Sequence, residues 1–416
     1  MTNPRIADGC GHDGPSLPLA TVLARLAEVI EPISGQQRLA LRSALGHILA
    51  EPITAPAPVP AHDNSAMDGY ALRHADLEAG PLKLVGSAFA GHPYSGEIGP
   101  GECVRIMTGG VVPAGADTVA MQEHAEAKDT TITITRPPSA GDNIRRAGED
   151  LQAGDVVLPA GRRLTAADLG VIASMGVAEV SVMRALRVAF FSTGDELRSL
   201  GETLGPGEIY DSNRYTLFGM LTRLGVDLID MGVVRDDETA LQHALDQAAA
   251  NADVILTSGG VSVGEADFMG KLLQMHGEAH FWSIAMKPGR PLTFGRYGKA
   301  WYFGLPGNPV SVMATFTQVV TPALRQLAGE LHQPPARFRL PCRSALRKKP
   351  GRQEFQRARL VQQADGSLAV ESVGRQGSGI LRSMSEADCF IVLPADCGNV
   401  AEGDWVDVEP FGAPLV

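Results

Sequence analysis

The sequence predicts a multidomain chain of α/β plus β class, and three observations carry that prediction. Its 416 residues exceed what one ordinary core organises, and at about 100 to 200 residues per domain they make two to four units. Between Leu186 and Leu327, apolar strand-like runs alternate with helical patterns, which implies a mostly parallel sheet covered on both faces. In two other stretches, Leu82 to Pro137 and the region beyond Pro335, the hydrophobic period falls to two between glycine and proline turns, as in compact β units.

Taken in order, Leu17 to Ile30 and Gln36 to Ala50 carry apolar residues at helical spacing, so the chain is expected to open with two helices, the second closed by Glu51-Pro52. Ala55-Pro56-Ala57-Pro58-Val59-Pro60 excludes helix, because each proline fixes φ and biases its predecessor towards extended backbone. Strands are expected at Cys103 to Met107, Thr118 to Met121 and Thr130 to Thr135. Helical pattern resumes at Leu164-Thr165-Ala166-Ala167-Asp168, which reads as a capped start, and continues through Met175. Leu186 to Phe191, Val226 to Met231, Val254 to Leu256 and Ala300 to Phe303 then read as strands, with helices at Tyr215 to Leu224 and Thr239 to Ala250. Alternating strands close the chain at Arg337 to Pro341, Phe355 to Leu360, Leu368 to Ser372, Cys389 to Leu393 and Asp404 to Glu409.

Charge narrows the function classes. Lys and Arg number 36 against 47 Asp and Glu, net −11, without a basic block, which argues against nucleic acid as the main partner. A start lacking the charged-then-apolar pattern of a signal, and the absence of any run near the roughly 20 apolar residues of a membrane span, give the expectation of a soluble, cytoplasmic protein without membrane contact. Five dispersed cysteines, none in C-x-x-C spacing, suggest neither a disulfide framework nor a zinc site.

Polar loops follow the α/β strands, where ligands of such sheets bind. Ser258-Gly259-Gly260-Val261-Ser262-Val263-Gly264-Glu265-Ala266-Asp267 leaves a buried strand and enters a helix, so small residues, free N–H groups and a helix dipole would face one oxyanion. Asp267 adds a carboxylate where phosphate chemistry uses a divalent cation. Ser192-Thr193-Gly194-Asp195-Glu196-Leu197 and Asp236-Asp237 recur at the same sheet end. Positive charge comes from Lys287-Pro288-Gly289-Arg290-Pro291, a stiffened pair of cations suited to clamping an anion. Asp63-Asn64-Ser65-Ala66-Met67-Asp68-Gly69-Tyr70-Ala71, Ile106-Met107-Thr108-Gly109 and Asn143-Ile144-Arg145-Arg146-Ala147-Gly148-Glu149-Asp150 add acids, a hydroxyl and a further basic pair, although Asx turns alone explain such loops.

These stretches, followed by Gly304-Leu305-Pro306-Gly307-Asn308-Pro309-Val310-Ser311, resemble in sequence and order the molybdopterin molybdenumtransferase family, bacterial relatives of the carboxy-terminal domain of gephyrin; the resemblance runs from about Leu17 to Phe411. It implies a homodimer of four-part protomers: a split helical and linking domain at 1–53 and 150–183, an inserted β domain at 54–149, a molybdopterin-binding-like α/β domain at 184–331, and a C-terminal β-barrel-like domain at 332–416. The implied reaction binds adenylylated molybdopterin and molybdate, releases AMP with magnesium and forms molybdenum cofactor. Transient contact with molybdopterin adenylyltransferase and apo molybdoenzymes goes with it.

Carried across, the family's functional positions are Asp63, Thr108, Asp150, Glu196, Asp236, Asp267, Lys287, Pro306, Pro309 and Ser378. Glu196, Asp236 and Asp267 are the expected magnesium carboxylates, while Gly259, Gly260, Ser262, Lys287, Arg290 and Arg145 are expected to hold anions. Arg290 stands where many relatives have lysine, replacing a point cation by a planar fork. One site must gather these loops, so residues 143–150 are expected at the α/β strand ends, within a protomer or across a dimer interface. Two rivals remain. Molybdopterin adenylyltransferase would read Gly-Gly-Thr-Gly where this chain has Gly259-Gly260-Val261-Ser262, and a scaffold would need neither the acids nor Lys287.

Overall fold

Alternation along one strand sets the central architecture. In Arg187–Thr193, Val188 and Phe190 enter one apolar core while Ala189 and Phe191 enter another, so the sheet is buried on both faces. A computed structural model of the chain describes residues 16–259 and 268–412. The strands lie in the order Asp227–Val234, Arg187–Thr193, Val254–Ser258, Ala300–Leu305, Pro291–Tyr297 and Gly277–Ser283. The first four are mutually parallel, and the last two add an antiparallel edge.

Helix Ser212–Leu224 packs Leu217 and Leu221 on the first face, and Glu238–Asn251 packs Leu241, Ala244, Leu245 and Ala248 on the second. Both begin on an aspartate whose carboxylate accepts a first-turn N–H: Asp211 from Arg214 and Asp237 from Ala240. The first ends on Gly225 in the left-handed region.

The opening helix, Leu19–Val29, buries Leu19, Val22 and Leu26 in the α/β core rather than in a linking unit. The second expected helix does not form: Gln36–Ala40 is a strand antiparallel to Glu179–Met183, followed by a 3₁₀ turn at Leu41–Ser43. A helical pattern read over fifteen residues was overridden by backbone pairing to a partner more than a hundred residues away. The linking unit is accordingly more β than helical. Its second pair, Ile53–Thr54 with Val156–Leu158, lies beside one helix, Ala166–Ser174. That helix starts as the sequence predicts, Thr165 and Asp168 forming a reciprocal cap.

Between the two halves, six strands from Gly69–Leu72 to Thr131–Ile134 make one sheet with cores on both faces. At the other end, Phe338–Pro341, Trp405–Pro410, Cys389–Leu393, Gln353–Gln362 and Leu368–Ser372 pair in sequence, and a bridge from Cys342 to Val370 closes them into a small barrel. No helix among the described residues is long and apolar enough to cross a membrane.

Candidate functional site

Register decides where the site lies. Ser258 ends its strand level with Ser192 on one side and Leu305 on the other, so three loops leave the sheet side by side. The chain runs from Arg187–Thr193 to one neighbouring strand and then crosses to the other, which makes this end a topological switch point. A cleft of about 700 Å³ opens there. Thr193, Gly194, Glu196, Asp236, Gly259, Pro306, Gly307 and Asn308 line its sheet side; Lys287 to Pro291 and Ser311 form a flank, and Arg352, Gln376, Gly377 and Ser378 reach in from the barrel. Two carboxylates thus share one cavity with three cations.

Two glycines are dictated by close approach. Gly259 has φ +90° and a Cβ there would lie 2.3 Å from the Thr193 carbonyl oxygen. Gly289 has φ +97° and a Cβ would lie 2.3 Å from Thr315 Oγ1, so the basic loop sits directly on the helix beneath it. Asn213 Nδ2 donates to Ser258 Oγ at 2.8 Å and to the Gly307 carbonyl at 2.7 Å, tying two cleft loops together.

The basic loop joins two units. Met286–Lys287 pairs in parallel with the start of Gln353–Gln362, placing Lys287 opposite Glu354. Lys287 Nζ approaches Glu354 Oε1 at 3.3 Å, and the Glu354 side chain is only 5% exposed, so this carboxylate relies on Lys287 and on Gln356 Nε2 at 3.1 Å. Ser378 is set by its backbone, which accepts from Val310 N at 3.0 Å. The preceding loop rests on buried Arg357, whose Nη2 donates to the Gly377 carbonyl at 3.0 Å and whose Nε donates to Ser383 Oγ at 3.0 Å. Burial pulls this guanidinium down to about 10, still charged at neutral pH. Ser192 Oγ, Thr193 Oγ1, Asp211 Oδ2 and Asn213 Oδ1 are buried without hydrogen-bond partners among the described residues, and of these four residues Thr193 lines the cleft.

Of the residues singled out from sequence, Glu196, Asp236, Gly259, Lys287, Arg290, Pro306 and Ser378 line this one cleft. Pro309 follows immediately, as the first residue of helix Pro309–Thr315. Gly260, Ser262 and Asp267 lie outside the described residues. Asp63, Thr108, Arg145 and Asp150 do not line the cleft and belong to a second rim on the inserted sheet and its exit. There Thr108 N and Oγ1 both donate to Asp68 Oδ1 at 2.7 Å, Arg145 pairs with Asn64, and Asp150 N donates to the Val59 carbonyl at 3.1 Å.

Asp63 binds this second rim together. Its carboxylate accepts from Ala147 N at 2.8 Å and Arg146 Nη1 at 2.6 Å, and these bonds, the backbone one first, hold its pKa below the ordinary 3.8. A depressed carboxylate stabilises the fold above its ordinary pKa, and that contribution is lost as pH falls through the depressed value. An NMR titration of the Asp63 carboxyl is expected to give a midpoint below 3.8, with Arg146→Ala restoring only part of the shift because the Ala147 N–H remains. A midpoint at or above the ordinary value in the unaltered chain contradicts this bridge.

Sequence reasoning missed Arg352, Gln376 and Met286 in the cleft wall, whereas Asn308 lies in the Pro306 to Ser311 stretch that it singled out. Gln376 could have been found beside Ser378, and Arg352 ends a basic turn, Lys348-Lys349-Pro350-Gly351-Arg352, that reads as a surface feature without the fold.

Three family models match the chain: "MoeA N-terminal region (domain I and II)" over residues 17–176, "Probable molybdopterin binding domain" over 189–326, and "MoeA C-terminal region (domain IV)" over 339–411. A molybdopterin molybdenumtransferase of Haemophilus influenzae is 45% identical over 376 residues, 90% of this chain and 93% of that protein. One from Nostoc sp. is 38% identical, covering 74% of this chain and 73% of the relative. The crystal structure of a molybdopterin biosynthesis moeA protein from Pyrococcus horikoshii superposes with a TM-score of 0.82 at 28% identity, covering 95% of this chain and all of that one.

Proposed function

Because this chain belongs to the molybdopterin molybdenumtransferase family and is a transferase of molybdenum cofactor biosynthesis, we propose that its reaction takes adenylylated molybdopterin and molybdate, releases AMP in a magnesium-dependent step and leaves molybdenum on the dithiolene. The observation that carries this reading is the single cleft in which Glu196 and Asp236 face Lys287, Arg290 and Arg352. Lys287 and the two arginines bind phosphate or molybdate oxygens, the arginines as planar forks.

The donor set fits magnesium. Glu196 and Asp236 supply hard carboxylate oxygens, and Asp267 follows the Gly259 turn in sequence. Among the described residues no three His, Cys, Asp or Glu gather to hold an ion unaided, so substrate phosphates and water would complete its shell. Bound there, magnesium would neutralise phosphate charge. Asp236→Asn is expected to lower AMP release about tenfold and to raise the half-saturating magnesium concentration; an unchanged magnesium dependence removes Asp236 from this role.

The second rim supports a homodimer. Asp63, Thr108, Arg145 and Asp150 reach a cleft only if a partner copy brings them there, and the loop and helix after Glu196 expose Leu200, Leu204, Ile209, Tyr210, Tyr215 and Phe218, an apolar surface suited to contact. Transient docking with molybdopterin adenylyltransferase and with apo molybdoenzymes would supply the substrate and remove the product. Cell-free reconstitution tests the whole reading: adenylylated molybdopterin, molybdate, magnesium and the chain should yield AMP and activate an apo molybdoenzyme. Failure of AMP release with every component present overturns it.

A further inference from the structure

The loop that presents Lys287 and Arg290 is held from outside the cleft by the beginning of the described chain. Leu17 bridges Ile284 as a short parallel strand: Leu17 N donates to the Ser283 carbonyl at 2.7 Å, and Ala285 N donates to the Leu17 carbonyl at 2.7 Å. The loop closes on itself where Ile284 N donates to the Arg290 carbonyl at 2.7 Å. A side-chain series runs along the same seam. Arg290 Nε donates to Ser283 Oγ at 2.9 Å, and Ser283 Oγ lies 2.8 Å from Ser16 Oγ.

A guanidinium is planar, so spending its Nε–H on a fixed hydroxyl sets the plane of the whole fork and leaves the Nη groups as donors for a ligand. An ammonium on a flexible stem has no equivalent position to tether. Arg290 lines the cleft on an exposed side chain, which would otherwise sample many rotamers and lose that freedom on binding.

Resting on the reading of the cleft as an oxyanion site, we propose that Ser283, backed by Ser16, is a positioning residue that pre-orients Arg290 for a tetrahedral oxyanion. The ligand chemistry is shared by free molybdate and by the phosphate of an adenylate.

Calorimetric titration of the full chain with molybdate and, separately, with AMP distinguishes the two sources. Ser283→Ala is expected to weaken binding of the oxyanion that Arg290 holds about three- to tenfold, the cost of fixing on binding one long side chain that the tether no longer holds in place. The other titrant should bind unchanged, the melting temperature should stay the same, and Ser283→Thr should restore the lost affinity. The deciding arm is Arg290→Lys, in which Ser283→Ala should add no further loss, because lysine has no tethered nitrogen to release. Equal weakening by Ser283→Ala in the unaltered chain and in the Arg290→Lys variant, or unchanged binding of both titrants in Ser283→Ala, overturns the tether alone. Absence of binding by both titrants in the unaltered chain overturns the tether together with the cleft reading beneath it.

Discussion

Lys287→Ala is expected to raise the concentration of substrate or molybdate needed for half-maximal activity about 10- to 150-fold, corresponding to roughly 1.5–3 kcal/mol for a lost hydrogen bond to a charged group. The residue serves two partners. It offers charge to the cleft, and it stands 3.3 Å from Glu354, which is nearly buried. Alanine therefore removes the anion's cation and also leaves Glu354, among the described residues, with only the Gln356 amide, so a fall in thermal stability should accompany the loss of binding. Lys287→Ala combined with Glu354→Gln separates the two, since neutralising Glu354 should recover stability without recovering affinity. Lys287→Arg should recover part of the affinity, restoring charge but not shape. Loss confined to turnover, with the half-saturating concentration unchanged, would assign Lys287 to transition-state stabilisation or proton transfer instead.

Gly259→Ala should be more destructive. An L-residue held at φ +90° costs roughly 1–2 kcal/mol, and the added methyl would stand 2.3 Å from the Thr193 carbonyl oxygen, well inside contact distance. Backbone must move to relieve it, and the backbone concerned is the paired end of Arg187–Thr193 and Val254–Ser258, which carries Gly194 and Glu196 into the cleft. We expect a loss of about 3 kcal/mol or more in stability and more than a hundredfold in activity, read by thermal melting and AMP release. Gly307→Ala, in the same cleft but with nothing within 4 Å of its Cβ, should leave melting unchanged. Similar destabilisation in both variants would mean that close packing is not what requires glycine at 259.

Much of the α/β unit was legible because its signals are local. Val254 to Leu256 is a continuous apolar run and proved to be the first three residues of a strand buried throughout, and the helix starts at Asp211, Asp237 and Thr165 are written in their own side chains. The strand at Gln36–Ala40 was not legible, since it is largely exposed and made by pairing with Glu179–Met183, about which its own sequence says nothing. The cleft divides along the same line. Glu196, Asp236 and Lys287 announce themselves as charges in turn-rich loops after strands. The need for glycine at 259 depends on a carbonyl at 193, and the fixing of Arg290 depends on Ser283 and Ser16, contacts that no single stretch of sequence displays. Asp63 was legible as an acid in a polar loop, yet its commitment to Ala147 and Arg146 appears only when the two loops meet.

The pairing of Gln36–Ala40 with Glu179–Met183 bears on how the chain reaches this shape. As a ribosome delivers it, the linking unit cannot close until about 183 residues have emerged, and its two halves would have to find each other across a long open loop. The inserted sheet has its own cores on both faces, with contacts that fall largely within residues 63–147, so it can condense first. Once it has, Ala55 and Asp155 lie side by side, joined from Ala55 N to the Asp155 carbonyl at 2.9 Å and from Gly154 N to the Ala55 carbonyl at 2.9 Å. A search across some hundred residues becomes the closing of a short hairpin. An insertion that condensed first would serve as the platform on which the linking unit closes, and a lesion within it is then expected to slow the pairing of Gln36–Ala40 with Glu179–Met183.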